Sequence, residues 1–151
     1  MSSTGPERLE LHLAVQYAAS DARLPDRAQV RRWAAAAQEK PLGVTVRFVG
    51  AAEGRALNRD FRGKDYATNV LSFVYEEGAA ASGDLVICLP VVAREAKAQG
   101  KPFKAHMAHM VVHGMLHLQG YDHETGPREA ARMEARERAI LARFGIPDPY
   151  L

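Results

Sequence analysis

Three of the chain's six histidines fall within the eleven residues His113-Gly114-Met115-Leu116-His117-Leu118-Gln119-Gly120-Tyr121-Asp122-His123. Imidazole is the commonest metal ligand among side chains, so the spacing of these three matters. From Pro102 to Leu118 there is no helix breaker except Gly114, and proline is tolerated in a first helical turn, so a helix is expected there. Residues four apart stack on one helical face, which places His113 and His117 to chelate one ion. Gly120 supplies the left-handed stop that would turn the chain and return His123 as a third ligand. Three protein ligands with the fourth position open mark a catalytic zinc site. Structural sites are closed by four ligands, usually with cysteine, and this chain has one Cys. The expectation is one zinc ion per chain on His113, His117 and His123, in an open, hydrolytic centre. The pair His113 and His117 alone could equally be a polar seam in a core; His123 after the glycine turn is what favours a metal. His106 and His109 share the face of His113 and are expected to line the approach or to orient a ligand.

Zinc peptidases share the spacing His-x3-His-x2-Gly-x2-His, but they carry Glu directly after the first histidine as general base. Here that position is Gly114. Peptide hydrolysis by that route has no base.

Upstream lies a basic stretch: Arg55, Arg59, Arg62 and Lys64 fall within ten residues, the last two flanking Gly63. Guanidinium groups bind phosphate in a fork and stabilise charge that grows on its oxygens, so the stretch suits a phosphodiester substrate. By spacing alone it could also be an ordinary solvated run.

The run HGMLHLQGYDH, with LNRDFRGKDYATNVLSF and GDLVIC before it, closely resembles the YbeY family of bacterial endoribonucleases. The resemblance extends roughly from Val44 to Phe144. It implies a zinc-dependent, single-strand-specific endoribonuclease that acts in rRNA processing, notably maturation of the 16S rRNA 3′ end, and in ribosome quality control. It also implies a functional arginine in Phe61-Arg62-Gly63-Lys64. The catalytic set is then Arg62, His113, His117 and His123, with Arg59, Arg62 and Lys64 on the substrate. The implied partners are single-stranded rRNA of the small ribosomal subunit, a small-subunit ribosomal protein and an assembly GTPase, and no membrane. The chain departs from the family at Asn69, where the family usually has Asp. Two other readings keep the metal: a zinc metallopeptidase-like hydrolase, which Gly114 disfavours, and a ribosome-assembly factor whose metal is structural.

The elements that must position these residues are read from composition and periodicity. At 151 residues, 47% hydrophobic and 25% charged, the chain is expected to form one domain over residues 1–151. Met1 to Arg8 lacks the apolar core of a signal peptide and no stretch is long enough to span a membrane, so a cytoplasmic protein is expected. Cys88 lies in an apolar run and is expected in the core. The net charge of +2 does not by itself advertise nucleic-acid binding.

Residues 9 to 17 alternate as a strand, and Pro25 and Asp26 open a helix through Gln38 with Val30, Trp33 and Ala37 inward. Val44 to Phe48 alternates again, and Ala52 to Phe61 forms a helix. Val70 to Tyr75 and Asp84 to Leu89 read as strands joined by a mobile loop, Gly78 to Gly83. Pro90 to Gln99 is a short helix before the histidine helix. A final helix to Phe144 buries Met133, Ile140, Leu141 and Phe144, and is expected only to pack. Ile146 to Leu151 reads as a loose end. The fold class is α+β: a mixed sheet of about four strands with helices packed on it and the histidine helix on one side.

Overall fold

The computed structural model describes residues 9–151, so Met1 to Arg8, where no signal segment is expected, lie outside the described residues. The elements come in the expected order: β1 (Leu11–Tyr17), α1 (Arg27–Ala37), β2 (Leu42–Val49), α2 (Ala51–Arg62), β3 (Val70–Glu76), β4 (Ala81–Cys88), α3 (Leu89–Gln99), α4 (Phe103–Leu118) and α5 (Pro127–Ala142). They build a single α+β domain around one sheet of order β1-β2-β4-β3. The sheet is mixed: β1 with β2 and β2 with β4 are parallel, while β3 runs antiparallel to β4 on the edge.

Alternation decides which faces are covered. Val44, Val46 and Phe48 of β2, with Leu85 and Ile87 of β4, point into the larger core, joined there by Trp33, Met107, Met115, Leu116, Met133 and Ile140 from the helices. The opposite face carries a smaller cluster, Val49, Leu71, Val86, Cys88 and Val91, against which Leu57 and Phe73 pack. From Leu85 to Cys88 the inner strand β4 is therefore buried on both sides and reads as an apolar run. Each fully buried large side chain contributes about 1.5–3 kcal/mol of hydrophobic stabilisation, before the entropy of ordering it. Among the described residues no helix is long and apolar enough to cross a membrane.

Caps set the boundaries of the helices. Asp26 accepts from Gln29 N at 2.8 Å to open α1, and Gly63 (φ 69°) and Gly100 (φ 66°) close α2 and α3 in the left-handed conformation.

Two expectations are corrected. The segment expected as a mobile loop from Gly78 ends early, because β4 already begins at Ala81 and Gly83 pairs with Val74. A Cβ at Gly83 would run into the backbone carbonyl of Phe73 and come within 2.7 Å of Leu118 Cδ2, so glycine marks a close approach of β3 and α4 there. The C-terminal residues are not loose either. Ile146 N donates to Leu141 O at 3.1 Å, Arg138 Nε holds Asp148 Oδ2 at 2.9 Å, and Lys101 Nζ donates to the Pro149 carbonyl. The partners that tie the tail lie up to about fifty residues away, which local sequence does not reveal.

Helix α4 sits at the centre, packed on α1, α3, α5, β3 and β4. Gly114 is where it meets the sheet: a Cβ there would lie 2.7 and 2.8 Å from the methyls of Leu85, itself fully buried. Gly114→Ala is expected to cost about 1–3 kcal/mol by overpacking. Gly43→Ala, whose Cβ would meet only Ser82 Cβ at 3.8 Å, should be near neutral or stabilising. Denaturant melts of the two variants test the close packing, and equal stabilities would refute it.

Candidate metal centre

A helix buried on every side opens to the outside only where a side chain is left uncovered. From His106 to Leu118 every residue of α4 is buried except His113 and His117, the two expected ligands at helical spacing. Past Leu118 the helix stops, Gly120 takes φ 104°, and the turn returns His123 to within 4.9 Å of His113, ring centroid to ring centroid. His123 keeps 44% of its side chain exposed.

Hydrogen bonds divide the four helical histidines into two kinds. His106 Nε2 meets Glu95 Oε1 at 2.9 Å, and His109 Nε2 meets Glu137 Oε1 at 3.0 Å. The Nδ1 atoms of both rings are buried without a partner. A buried N–H with no acceptor is the costlier arrangement, so each ring carries its single proton on Nε2. His113 and His117 are held by the other nitrogen. His113 Nδ1 lies 2.7 Å from Glu137 Oε2, and His117 Nδ1 lies 3.1 Å from the Tyr121 carbonyl. With the proton on Nδ1, the Nε2 lone pair of each is left bare. A metal-ligating histidine is typically held by just such a carboxylate or carbonyl on its other nitrogen.

Glu137, from α5, joins these groups. It is fully buried, and its carboxylate takes His109, His113 and the Tyr150 hydroxyl. Burial by itself would raise its pKa; the hydrogen bonds from His109 and His113, the charge on His113 when protonated, and the Tyr150 hydroxyl outweigh that and bring it down to about 2. The group is ionised and accepts only.

His109, His113 and Glu137 offer ligand atoms that lie within 4.8 Å of one another, and these three could hold a metal ion. His117 and His123 stand outside that group. In the present arrangement the same atoms are engaged with each other: at 2.7 Å the proton between His113 Nδ1 and Glu137 fills the space an ion would need. The carboxylate is thus placed to orient a ligand, with the opposite nitrogen of His113 free.

Asp122 accepts from Glu124 N at 2.8 Å and closes the turn before it. Tyr121 is buried and donates to Glu39 at 2.9 Å, so both it and Asp122 serve the turn's shape.

Arg62 ends α2, and Lys64 comes after Gly63 in the turn; both are exposed. Arg59 pairs with Asp60 at 3.1 Å, and Arg55 grips Asp65 through two bonds at 2.7 and 2.8 Å. Those pairs take up the acidic groups of the stretch, and among the described residues Arg62 and Lys64 form no ion pair. None of Arg59, Arg62 and Lys64 bonds to the histidines. Cys88 is buried, as its apolar run implies, and burial raises its thiol pKa.

Asn69 has a definite partner. Its Nδ2 donates to both oxygens of Glu95, at 3.1 and 3.3 Å, while Oδ1 accepts from Val70 N. An Asp at 69 would set a second carboxylate against Glu95, so the amide suits this neighbour.

Glu137 and Tyr150 are the residues that sequence reasoning missed. The signal for Glu137 was available: it lies four residues after Met133 and three before Ile140, on the buried stripe of α5. A carboxylate on an apolar stripe needs donors, and the histidines of α4 are the donors at hand.

The fold and site define a class: an α+β protein whose central helix presents oriented histidines, with a buried carboxylate behind them, at a turn where a third histidine returns. Comparison with known proteins makes this particular. The endoribonuclease YbeY family matches residues 19–145. Endoribonuclease YbeY of Aromatoleum aromaticum is 57% identical over 150 residues, covering 99% of this chain and 97% of that protein. The protein of the same name from Thiobacillus denitrificans is 60% identical over 143 residues, 93% of this chain and 97% of that one. The solution structure of TM1509 from Thermotoga maritima shares the fold, with a TM-score of 0.61 at 23% identity over 85% of this chain and 86% of that chain. The chain belongs to the endoribonuclease YbeY family, a family of nucleases.

Two substitutions test the geometry. Glu137→Gln leaves one acceptor oxygen for His109, His113 and Tyr150, and should cost about 1.5–3 kcal/mol near neutral pH. A carboxyl lowered from 4.5 to about 2 contributes stability above its unfolded value and loses it as pH falls through that interval. The gap between wild type and Glu137→Gln should therefore close between pH 4.5 and 2 in acid melts, and a gap that does not depend on pH would contradict the ionised carboxylate. Asn69→Asp should destabilise at neutral pH by about 1.5–3 kcal/mol, with stability regained in the double variant Asn69→Asp/Glu95→Gln. Additive losses in that cycle would mean that the two side chains do not interact.

Proposed function

We propose that this chain is a zinc-dependent, single-strand-specific endoribonuclease of rRNA processing, acting in 16S rRNA 3′-end maturation and in ribosome quality control in the cytoplasm. The observation that carries this reading is the choice of nitrogen on α4. His113 and His117 are gripped through Nδ1, are the helix's only uncovered residues past His106, and so turn two bare Nε2 atoms outward beside His123. That donor set, neutral imidazoles with their second nitrogens hydrogen-bonded, fits zinc. His113, His117 and His123 would hold one ion per chain. A zinc ion there would supply Lewis acidity toward a phosphate oxygen and lower the pKa of water.

The chain's own residues do the rest. Arg62, exposed and free of ion pairs among the described residues, would fork onto a phosphate, with Arg59 and Lys64 adding charge for the flanking backbone. The glutamate base of the zinc peptidases, placed at Gly114, would have to displace the buried side chain of Leu85. The absence of a base there leaves attack by the RNA's own 2′-hydroxyl open. The substrate is single-stranded rRNA of the small subunit, presented with a small-subunit ribosomal protein or an assembly GTPase.

Metal content and cleavage of single-stranded rRNA fragments, measured on metal-defined wild type, His117→Ala and Arg62→Ala, test the proposal. Wild type should carry about one zinc per chain. His117→Ala should lose zinc and cleavage together. Arg62→Ala should keep zinc and a normal melt while cleavage falls by about 10²–10³-fold. Full zinc occupancy without cleavage in wild type would instead support an assembly factor with a structural metal. Cutting of an all-deoxy strand as fast as RNA would rule out the 2′-hydroxyl as nucleophile.

A further inference from the structure

The last residues of the chain come back to the histidine helix. Three ties bring them there: Ile146 N to Leu141 O, Asp148 to Arg138, and Lys101 Nζ to the Pro149 carbonyl. Asp148 also accepts from Tyr150 N at 2.9 Å, which sets the direction of the tyrosine. The Tyr150 ring then stands edge-to-face on His109, with centroids 5.4 Å apart at 84°, and its hydroxyl donates to Glu137 Oε1.

We propose that Tyr150 is a positioning residue of the metal centre, acting through Glu137 on the ring of His113. The proposal rests on the reading that His113 is a ligand.

A glutamate carboxylate rotates in a broad, two-fold well about its last bond, so burial alone does not fix its plane. Tyr150 and His109 both load Oε1, which commits Oε2 to His113 Nδ1. The proton of His113 is thereby kept on Nδ1 and its Nε2 lone pair kept free. Burial first, and then the neighbouring carboxylate, push the Tyr150 phenol well above its ordinary pKa, so the hydroxyl remains a donor. Removal of the hydroxyl alone leaves the ties at Ile146, Asp148 and Pro149 in place. The tail would stay docked, but the carboxylate would lose one of the two donors that fix its rotation.

The test sets Tyr150→Phe in the whole chain beside wild type, with two readouts. The ¹⁵N shifts of the His113 ring in metal-free protein report which nitrogen holds the proton, and competition against a chelator reports the affinity for zinc alone. Wild type should show His113 protonated on Nδ1; Tyr150→Phe should show a mixture of tautomers and bind zinc on the order of tenfold more weakly. A merely structural tyrosine would change the melt and leave the His113 shifts alone. Unchanged shifts together with unchanged zinc affinity overturn the proposal. Should wild type bind no zinc, the metal reading falls and this proposal with it, whereas zinc binding by wild type with unchanged shifts and affinity in Tyr150→Phe overturns this proposal alone. If Tyr150→Phe does not fold, Asp148→Ala, which frees the tail from Arg138, carries the same comparison.

Discussion

One buried carboxylate holds the functional half of this protein together. Glu137 has no exposed surface and is ionised, which in an apolar interior would cost several kcal/mol without partners. It has three, from two separate segments: His109 and His113 from α4 and Tyr150 from the C-terminal tail. The carboxylate can be buried only if α4, α5 and the tail are all in register. Conversely, the rings of α4 are fixed only because Glu137 is there to receive them. Apolar packing by Met133, Ile140 and Leu141 brings α5 onto the core, but packing tolerates small slips along the helix. Three hydrogen bonds on one carboxylate do not. The stability of the α4–α5 contact and the orientation of His113 are therefore one property.

Building a site on a fully surrounded element restricts the chemistry that helix α4 can carry. Its flanks face α1, α3, α5 and the sheet, so side chains there are chosen for volume, down to the glycine at 114 that lets Leu85 in. A charged base beside His113 would have to displace the buried side chain of Leu85. The exposed groups are divided accordingly: oriented imidazoles on the rigid helix, and positive charge at Arg62, the last residue of α2, and at Lys64 in the turn after it. Rigidity serves the first, because packing and hydrogen bonds fix the orientation of each ring. The second is left open to solvent.

Legibility in the sequence tracks the range of the forces involved. Each strand and helix can be read from alternation, helical period and caps, because those are local: Asp26, Gly63 and Gly100 stop or start helices through neighbours a few residues away. Gly120 is readable for the same reason, and the return of His123 toward His113 agrees with it. Features that depend on distant partners are not readable. In sequence Glu137 is one of several charges on α5, and only its place on the apolar stripe distinguishes it. The tail reads as free because two prolines deny it regular structure, whereas its anchors are Lys101, Leu141 and Arg138. Gly83 reads as part of a flexible loop, though a close crossing of β3 and α4 requires it.

The face of α4 itself carries the deepest distinction, and no spacing rule contains it. His106, His109, His113 and His117 recur at three- and four-residue steps on one face, and by periodicity they are equivalent. Their partners make them different. Glu95 and Glu137 reach His106 and His109 at Nε2, the outer nitrogen, which leaves only a buried Nδ1 unpaired. One turn further on, the other oxygen of Glu137 and the Tyr121 carbonyl reach His113 and His117 at Nδ1, the nitrogen nearer the backbone. The same ring then points its free lone pair away from the helix. Glu137 does both within a single carboxylate, closing His109 with one oxygen and opening His113 with the other. The boundary between a histidine whose outer nitrogen is engaged and one whose outer nitrogen is free thus passes through one side chain of a neighbouring helix.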